Sequence, residues 1–447
     1  MIIAMLASMV LFALFRAQEE ARSRKTSALI ARLDAIVKSK WESYKTRRVP
    51  VRIGPDQFRD LNGNGVRDGG EQITFDWNNN NALDGPPSPI EAARLRMDAL
   101  LDLMRMEMPE RYTDIVEVQV GGTLNPANPA RAVTAIPEPA LWQSYLRRIV
   151  SASSLPTVKN QGAECLYLIV MNAVTDEADA RDIFKEDNIG DVDNDGMPEF
   201  IDGWGRPIKF LRWAPGFQSD LQIVARGTVS FADVGPPVTV QLTGAPPSTS
   251  SGTFVGGVMA VLDSQSASLP QTPINPDRMG KITDYQFNGT NGVFTIAPPA
   301  NSTAPVFNGS PPMVNQQVVI LAPDPLDPLG VYPIFPEADA MAPTTSRFAL
   351  YPLIYSAGPD GGFGVLADVD DPSMGVASWS YPQAYLANFT SGRNPYDINP
   401  YGINPFVGHS SSTMPPFRFL FGALANIQDE PNNAAPDNIH NHLLNAN

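Results

Sequence analysis

The sequence predicts an α+β fold in which a long N-terminal helix precedes a small antiparallel-sheet head that carries a large, irregular β-rich insertion. Three observations support this prediction. Residues 1–45 contain no Gly or Pro and show helical periodicity. Amphipathic helical segments and short strand-like runs alternate through residues 49–214. Residues 215–345 contain short β-rich runs separated by Pro, Gly, Ser and Thr, which is typical of an inserted β layer.

The N-terminal helix is expected to cover residues 1–48, with an uncharged tip over 1–15 and an amphipathic shaft over 16–48. Apolar residues recur at helical spacing along one side of the shaft, which predicts a buried stripe. The stripe consists of Leu29, Ile30, Leu33, Ile36, Val37, Trp41 and Tyr44. At about 1.5 Å per residue the helix would be roughly 65 Å long. Part of it is therefore expected to lie outside the globular head.

The length of the tip leaves three interpretations open: the core of a signal peptide, a buried helix, or a spanning helix whose start is missing. Its apolar run is shorter than the roughly 20 residues that span a bilayer. A signal peptide would begin with Lys or Arg and end in small residues, whereas here a charged helix continues directly from the apolar run. This favours a spanning helix. The start of that helix is then expected to be missing from the sequence.

Composition limits the classes of function. The chain has 447 residues and a net charge of -15, although residues 16–52 are basic. The acidic body argues against a nucleic-acid partner and suits cation binding. Cys165 is the single cysteine, so no internal disulfide is possible, and its apolar surroundings predict a small buried hydrophobe rather than a nucleophile. The three histidines, His409, His440 and His442, offer little material for a catalytic triad or a His-based zinc site, and we predict no enzymatic activity.

Residues 60–71 match the calcium-loop pattern D-x-[DN]-x-[DN]-G-x5-E at every position. Calcium takes about six to eight oxygen ligands, and such a loop supplies them from side chains and one backbone carbonyl. The predicted ligands are Asp60, Asn62, Asn64, the carbonyl of Val66, Asp68 and Glu71. Because no strong helical pattern follows Glu71, we expect a free-standing or dockerin-like loop rather than a helix-flanked one.

Two further loops resemble this pattern. The second has Asn and Pro where Gly and Glu are expected, so an Asn-rich turn is the alternative to calcium binding. Its predicted ligands are Asp76, Asn78, Asn80 and Asp84. In the third, closely spaced acids would repel one another without a cation, and a solvated acidic turn is the alternative. Its predicted ligands are Asp191, Asp193, Asp195, the carbonyl of Met197, Glu199 and Asp202.

Three segments carry a family resemblance: the N-terminal helix, DGWGRPIKFLRW at residues 202–213 and LIYSAGPDGG at residues 353–362. Together they resemble type IV pilin-like proteins, especially the major pseudopilins of type II secretion systems. The cleaved leader and the Phe-Thr-Leu-x-Glu stretch of that family are not present in this sequence. The resemblance therefore implies that Met1 is an internal Met, and that the chain is a single-pass protein of the bacterial inner membrane. The resemblance implies that residues 346–380 complete the head with a C-terminal strand and an acidic calcium loop. The matching acids are Asp360, Asp368, Asp370 and Asp371.

The resemblance implies a structural subunit of a type II secretion or type IV pilus-like fibre, with a calcium-stabilised head in the periplasm or on the fibre. The implied partners are other pilin-like subunits, bound through the N-terminal helix, and the inner membrane. The Asn- and Pro-rich tail, residues 381–447, is expected to lack a packed core. The alternative function is a membrane-tethered, calcium-dependent binding or adhesion protein that does not polymerise.

Overall fold

The structure, a computed structural model, combines helices with several antiparallel sheets. It describes residues 2–76, 83–118, 123–132, 136–152, 155–173, 183–214, 216–233, 237–243, 250–262, 274–297, 307, 312–328, 330, 348–363, 365 and 438–443. The mixed helix and sheet content of the predicted α+β fold is thereby confirmed.

The first helix, α1 (Ile2–Ser43), confirms the predicted N-terminal helix. Every residue of the predicted stripe between Leu29 and Tyr44 is buried against the head, with at most 8% of its surface exposed. In contrast, the described side chains of residues 2–21 are exposed. At about 1.5 Å per residue the helix is roughly 63 Å long, and close to half of it extends beyond the head.

The predicted placement in the inner membrane is overturned. In the described part of the chain, no helix is both long and apolar enough to cross a membrane. The physical reason lies in the boundary of the tip, where the uncharged run ends at Phe15 and Arg16, Glu19 and Glu20 follow within about a turn. The predicted single-pass topology, with a periplasmic head, loses its basis.

Three shorter helices build the head: α2 (Pro89–Glu107), α3 (Ala140–Val150) and α4 (Gln161–Met171). Helix α2 begins with a capping box, as the spacing of Ser88 and Glu91 in the sequence predicts. The Glu91 backbone N–H donates to Ser88 Oγ at 3.3 Å, and the Ser88 backbone N–H donates to Glu91 Oε2 at 2.7 Å. Helix α4 packs on α1 and on the sheet of the head.

Short strands and 3-10 turns connect these helices. The strands are β1 (Gln57–Phe58), β2 (Ile73–Phe75), β3 (Val116–Val118), β4 (Leu124–Pro129), β5 (Ile189–Gly190) and β6 (Glu199–Phe200). The 3-10 turns are Tyr112–Asp114, Glu186–Asn188 and Asn441–Leu443. The loop between β5 and β6 lies beside the N-terminal end of α4, where Asn160 donates hydrogen bonds to Asp193 and Glu199.

A three-stranded sheet joins residues 202–213 and 353–362 to the end of the chain. Strand β7 (Lys209–Leu211) pairs with β14 (Leu353–Ser356), and β14 pairs with β15 (Ile439–His440). The tail is expected to lack a packed core. Residues 438–443 differ from this expectation, because β15 and the 3-10 turn after it pack into the head. Asn441 anchors this segment by donating to Asp34 Oδ1 of α1 at 2.6 Å.

Six strands between Ile223 and Leu321 form a closed barrel. Its strands are β8 (Ile223–Asp233), β9 (Val238–Thr243), β10 (Val258–Leu262), β11 (Ile274–Phe287), β12 (Gly292–Ala297) and β13 (Gln317–Leu321), in the spatial order β10-β11-β12-β9-β8-β13. The sequence predicts an irregular β-rich insertion in this region, whereas the strands form a regular closed barrel. Closure of the barrel leaves none of these six strands as an open edge.

Two apolar cores meet at the barrel wall. The main core joins the α1 stripe to α2, α4 and the small sheet, and it includes Val258 and Ala260 of β10. The second core fills the barrel and includes Met259 and Val261 of the same strand. Because successive side chains of a strand point to opposite faces, β10 contributes to both cores.

Candidate metal centre

The loop between β5 and β6 folds its acids inward around two backbone turns. Asp191 accepts two hydrogen bonds, from the backbone N–H of Asp195 to Oδ1 at 3.1 Å and from that of Gly196 to Oδ2 at 3.0 Å. Asn194 and Gly196 have φ values of 60° and 95°, the left-handed backbone conformation that permits this tight turn. As a result, carboxylate oxygens of Asp191, Asp193 and Asp195 lie within 4.8 Å of one another.

A second group overlaps the first and reaches deeper into the head. It consists of Asp193, Glu199 at the start of β6, and Glu164 of α4, again with one carboxylate oxygen of each within 4.8 Å of the others. Asn160, which precedes α4, links the loop to the helix. Its Nδ2 donates to Asp193 Oδ2 at 3.2 Å and to Glu199 Oε1 at 3.4 Å. Asp193 thus belongs to both acidic groups.

Glu164 is the residue of this centre that the sequence analysis missed. Its side chain is fully buried, and the Tyr112 hydroxyl donates to its Oε2. Among the described residues, its Oε1 has no hydrogen-bond partner, and the same is true of the buried Oδ1 of Asp193. An acid inside the apolar run GAECLYLIVM was the available signal, since Glu is almost never fully buried unless it is paired. The neighbouring Cys165 is buried, as predicted.

The acids of this centre resist being ionised together. Burial, with added repulsion from Asp195, Glu199 and Asp193, raises the pKa of Glu164 to about 10, although the hydrogen bond from Tyr112 opposes the shift. Burial and the neighbouring acids also raise the pKa of Glu199 to about 7. The pKa of Asp193 is raised by the same two causes. A cation among these groups would favour their charged forms.

The last two ligands predicted for this loop are the carbonyl of Met197 and the carboxylate of Asp202. The Met197 side chain is buried in an apolar cluster, and its backbone N–H donates to Asp195 Oδ1 at 3.0 Å. The Asp202 carboxylate accepts hydrogen bonds from the backbone N–H groups of Trp204 and Arg206 and from the hydroxyl of Ser356 at 2.7 Å. The Asp202 side chain therefore organises the turn that joins β6 to β7, and it is not among the grouped acids of the described residues.

The first loop, residues 60–71, is closed by its two end acids. Asp60 accepts from the backbone N–H groups of Asn62, Gly63 and Gly65, and the Gly65 bond is the main reason that the pKa of Asp60 is lowered. Glu71 accepts from the backbone N–H of Leu61 at Oε1 (2.8 Å).

The interior of this loop is amide-rich. The side-chain amides of Asn62 and Asn64 both donate to Asp68 Oδ2, at 2.6 and 2.7 Å. Val66, whose carbonyl is a predicted ligand, donates its backbone N–H to Asn64 Oδ1 at 2.7 Å. Among the described acids of residues 60–71, no three have carboxylate oxygens within 4.8 Å of one another. The loop therefore has the backbone shape of a calcium loop without a ready group of carboxylates.

The remaining predicted ligands are only partly placed. In the second loop, the backbone N–H of Asp84 donates to Asp56 Oδ2 at 2.8 Å, and Asp76 follows β2. Asn78 and Asn80 lie outside the described residues. Asp360 accepts from the backbone N–H of Gly362 at 2.9 Å, in an exposed turn after β14. Asp368, Asp370 and Asp371 lie outside the described residues.

The chemistry of the centre is that of a hard cation site. The grouped donors are carboxylates from Glu164, Asp191, Asp193, Asp195 and Glu199. Oxygen donors of this kind suit calcium, magnesium or manganese, whereas zinc sites generally include His or Cys. The orphaned oxygens of Glu164 and Asp193 fit a bound cation. Comparison of the chain with protein-family models, curated proteins and solved structures finds no match.

Proposed function

We propose that this chain is a structural subunit of a pilin-like fibre of the type II secretion or type IV pilus kind, with a calcium-stabilised head. In this proposal the exposed half of α1 packs against other pilin-like subunits. The observation that carries the proposal is the apolar surface of residues 2–15. Its exposed large side chains are Ile2, Ile3, Met5, Leu6, Met9, Val10, Leu11, Phe12, Leu14 and Phe15, each with 56–83% of its surface accessible.

This surface favours burial among several helices. Single exposed apolar residues are common on proteins, but a contiguous apolar patch indicates an interaction site. The exposed residues of 2–15 occupy all sides of the helix rather than one stripe. A helix that is apolar all round is buried on all sides, as in the centre of a helical fibre, and not in a one-sided groove.

The attachment of α1 to the head suits a load-carrying subunit. The carboxylate of Glu107, at the end of α2, accepts two hydrogen bonds from Arg47 at 2.6 and 2.7 Å and one from Tyr44 at 2.7 Å. A bidentate Arg–carboxylate pair is among the stronger polar contacts in proteins. Together with the buried stripe, this contact fixes the direction in which α1 leaves the head. The pilin-like segments at residues 202–213 and 353–362 give the proposal its second support.

The direct test is assembly of the full chain, measured by sedimentation and by electron microscopy. We expect the wild-type chain to form filaments. Met9→Glu should raise the concentration needed for assembly by about tenfold or more, because a buried unpaired charge opposes helix packing. The matched control is Met313→Glu, since Met313 is 65% exposed and Met9 is 64% exposed.

The outcomes of this test separate the alternatives. Loss of filaments in Met9→Glu together with normal assembly in Met313→Glu supports the proposal. A wild-type chain that stays monomeric at all accessible concentrations overturns it and favours a calcium-dependent binding protein. Equal assembly of all three chains would show that the apolar half of α1 is not the subunit contact.

A further inference from the structure

We propose that Glu164 completes a calcium site with Asp193 and Glu199, so that the bound ion fastens α4 to the loop between β5 and β6. This inference rests on the calcium-binding part of the proposed function and is independent of fibre assembly. It adds a ligand from a helix that precedes the loop in the sequence. It also assigns Asp202 to a structural role outside the site.

The unpaired oxygens are the first argument. Glu164 is fully buried, its Oε2 accepts from the Tyr112 hydroxyl, and its Oε1 has no hydrogen-bond partner in the described part of the chain. Asp193 contributes a second buried oxygen, Oδ1, in the same state. Both residues belong to one group of carboxylates. Buried carboxylate oxygens without a donor are strongly unfavourable, and a cation between them would satisfy both.

The size of the group is the second argument. Its three ligand atoms lie within 4.8 Å of one another. Oxygens on opposite sides of a calcium ion are about 4.6–5.2 Å apart, twice the usual calcium–oxygen distance. Oxygens within 4.8 Å of one another can therefore share one calcium ion. Asp191 and Asp195 lie next to it through the shared residue Asp193 and add negative charge.

The first loop, residues 60–71, shows how a loop with the calcium-loop pattern closes. There Glu71, twelfth in the pattern, accepts from the backbone N–H of Leu61, the second residue. In the loop between β5 and β6, Glu199 accepts from the backbone N–H of Val192, again the second residue, at 3.0 Å. Glu199, ninth in the pattern, thus has the closing role that the spacing had assigned to Asp202. The loop therefore closes at Glu199 rather than at Asp202.

An ion at this position would order the segment against which α1 packs. Directly after β6, the turn at residues 202–205 contacts α1. The Gly203 backbone N–H donates to Thr26 Oγ1 at 2.9 Å, and Trp204 Nε1 donates to Glu19 Oε2 at 2.8 Å. Calcium at Glu164 would hold α4, the loop and this turn as one unit. The ion is thereby placed to influence how firmly the head holds α1.

The test is a calcium titration of the full chain by isothermal calorimetry after removal of metals with a chelator. Glu164→Gln should weaken the site by at least about tenfold, and Asp193→Asn, which changes the half-exposed loop rather than the helix, should do the same. Glu186→Gln is the matched control, because Glu186 is exposed in the 3-10 turn before the loop. In the wild type, calcium should also slow hydrogen exchange at residues 19–26 and 185–206.

Three results would overturn the inference. One is a wild-type chain that binds no calcium at millimolar concentrations. Another is equal calcium affinity in Glu164→Gln, Asp193→Asn and the Glu186→Gln control. The third is a site that is lost in Asp60→Asn but retained in Glu164→Gln, because the ion would then belong to residues 60–71. Filament formation can succeed or fail without changing any of these results, so the two proposals are separately testable.

Discussion

Arg212 is a buried cation held by partners from the segment that follows α2. Its Nη1 donates to the Met108 carbonyl at 2.8 Å and to Asp114 Oδ2 at 3.1 Å, and its backbone N–H donates to Glu110 Oε2 at 2.9 Å. Burial alone would raise the pKa of Asp114. The guanidinium groups of Arg212, Arg111 and Arg105 outweigh burial and lower it. The charge of Asp114 therefore depends on these arginines.

We predict that Arg212→Ala lowers the free energy of unfolding by about 3–5 kcal/mol, because it removes a buried cation that is paired with the carboxylates of Asp114 and Glu110. Urea denaturation measures this loss. Arg148→Ala, at an exposed position of α3, is the control and should change stability by about 0.5 kcal/mol or less. A loss below about 1 kcal/mol in Arg212→Ala would show that water or another group replaces the guanidinium.

At the level of single residues, the sequence revealed the local part of the candidate centre. The spacing of Asp191, Asp193, Asp195 and Glu199 identified the loop, because a loop pattern involves neighbours in the chain. Glu164 was not identified because its proximity depends on how α4 packs against the loop. An unusual acid in an apolar helix indicates that something pairs with it, but its partners become visible only in three dimensions.

At the scale of elements, α1 and the turn at residues 202–205 are in close contact at Gly203. A Cβ atom on Gly203 would lie 2.6 Å from the carbonyl oxygen and 2.9 Å from the Cα of Arg22. Both atoms belong to the backbone of a regular helix and cannot rotate away. Gly203 therefore allows the turn to touch α1 directly.

We predict that Gly203→Ala destabilises the chain by about 1–3 kcal/mol, because the turn and α1 must separate to admit the methyl group. The same change should speed hydrogen exchange at residues 19–26. Gly54→Ala is the control, since a Cβ there would meet nothing within 4 Å. If thermal unfolding gives the same stability for both variants, the contact between turn and helix contributes little.

The sequence predicts a helix or its start correctly where the residues of one segment are enough to determine it. The α1 stripe follows from the spacing of apolar residues, and the start of α2 follows from Ser88 and Glu91. The barrel could not be predicted in this way. Its closure depends on β13 pairing with both β8 and β10, and no local pattern reports which distant strands become neighbours.

For the whole molecule, the end of the chain contributes a pH-sensitive contact. His440 and His442 both contact the Phe217 ring in an edge-on arrangement, with centroid distances of 4.8 and 5.3 Å. Burial lowers the pKa of each from 6.5 to about 4, and for His442 the proximity of His440 adds to this effect. Both imidazoles are therefore neutral in the folded protein at pH values where they would be protonated in the unfolded chain.

We predict that the contribution of His440 and His442 to stability falls as the pH decreases from about 6.5 towards 4, because these two imidazoles bind more protons in the unfolded chain in this range. At pH 5 each histidine should account for a loss of about 2 kcal/mol relative to pH 7. Urea denaturation at several pH values measures the slope. The double variant His440→Gln/His442→Gln removes this contribution, so lowering the pH should reduce its stability less than that of the wild type, and parallel slopes would contradict the prediction.

The double-sided strand β10 makes the barrel an integral part of the protein. Val258 and Ala260 complete the core beneath α1, while Met259 and Val261 complete the barrel interior. Deleting residues 223–321 would remove the barrel core. It would also expose the main core beneath α1, because β10 covers part of it. Natural variation in this region should consequently be confined to the connections between strands, and an engineered miniature of the head would need a substitute wall in place of β10 and β13.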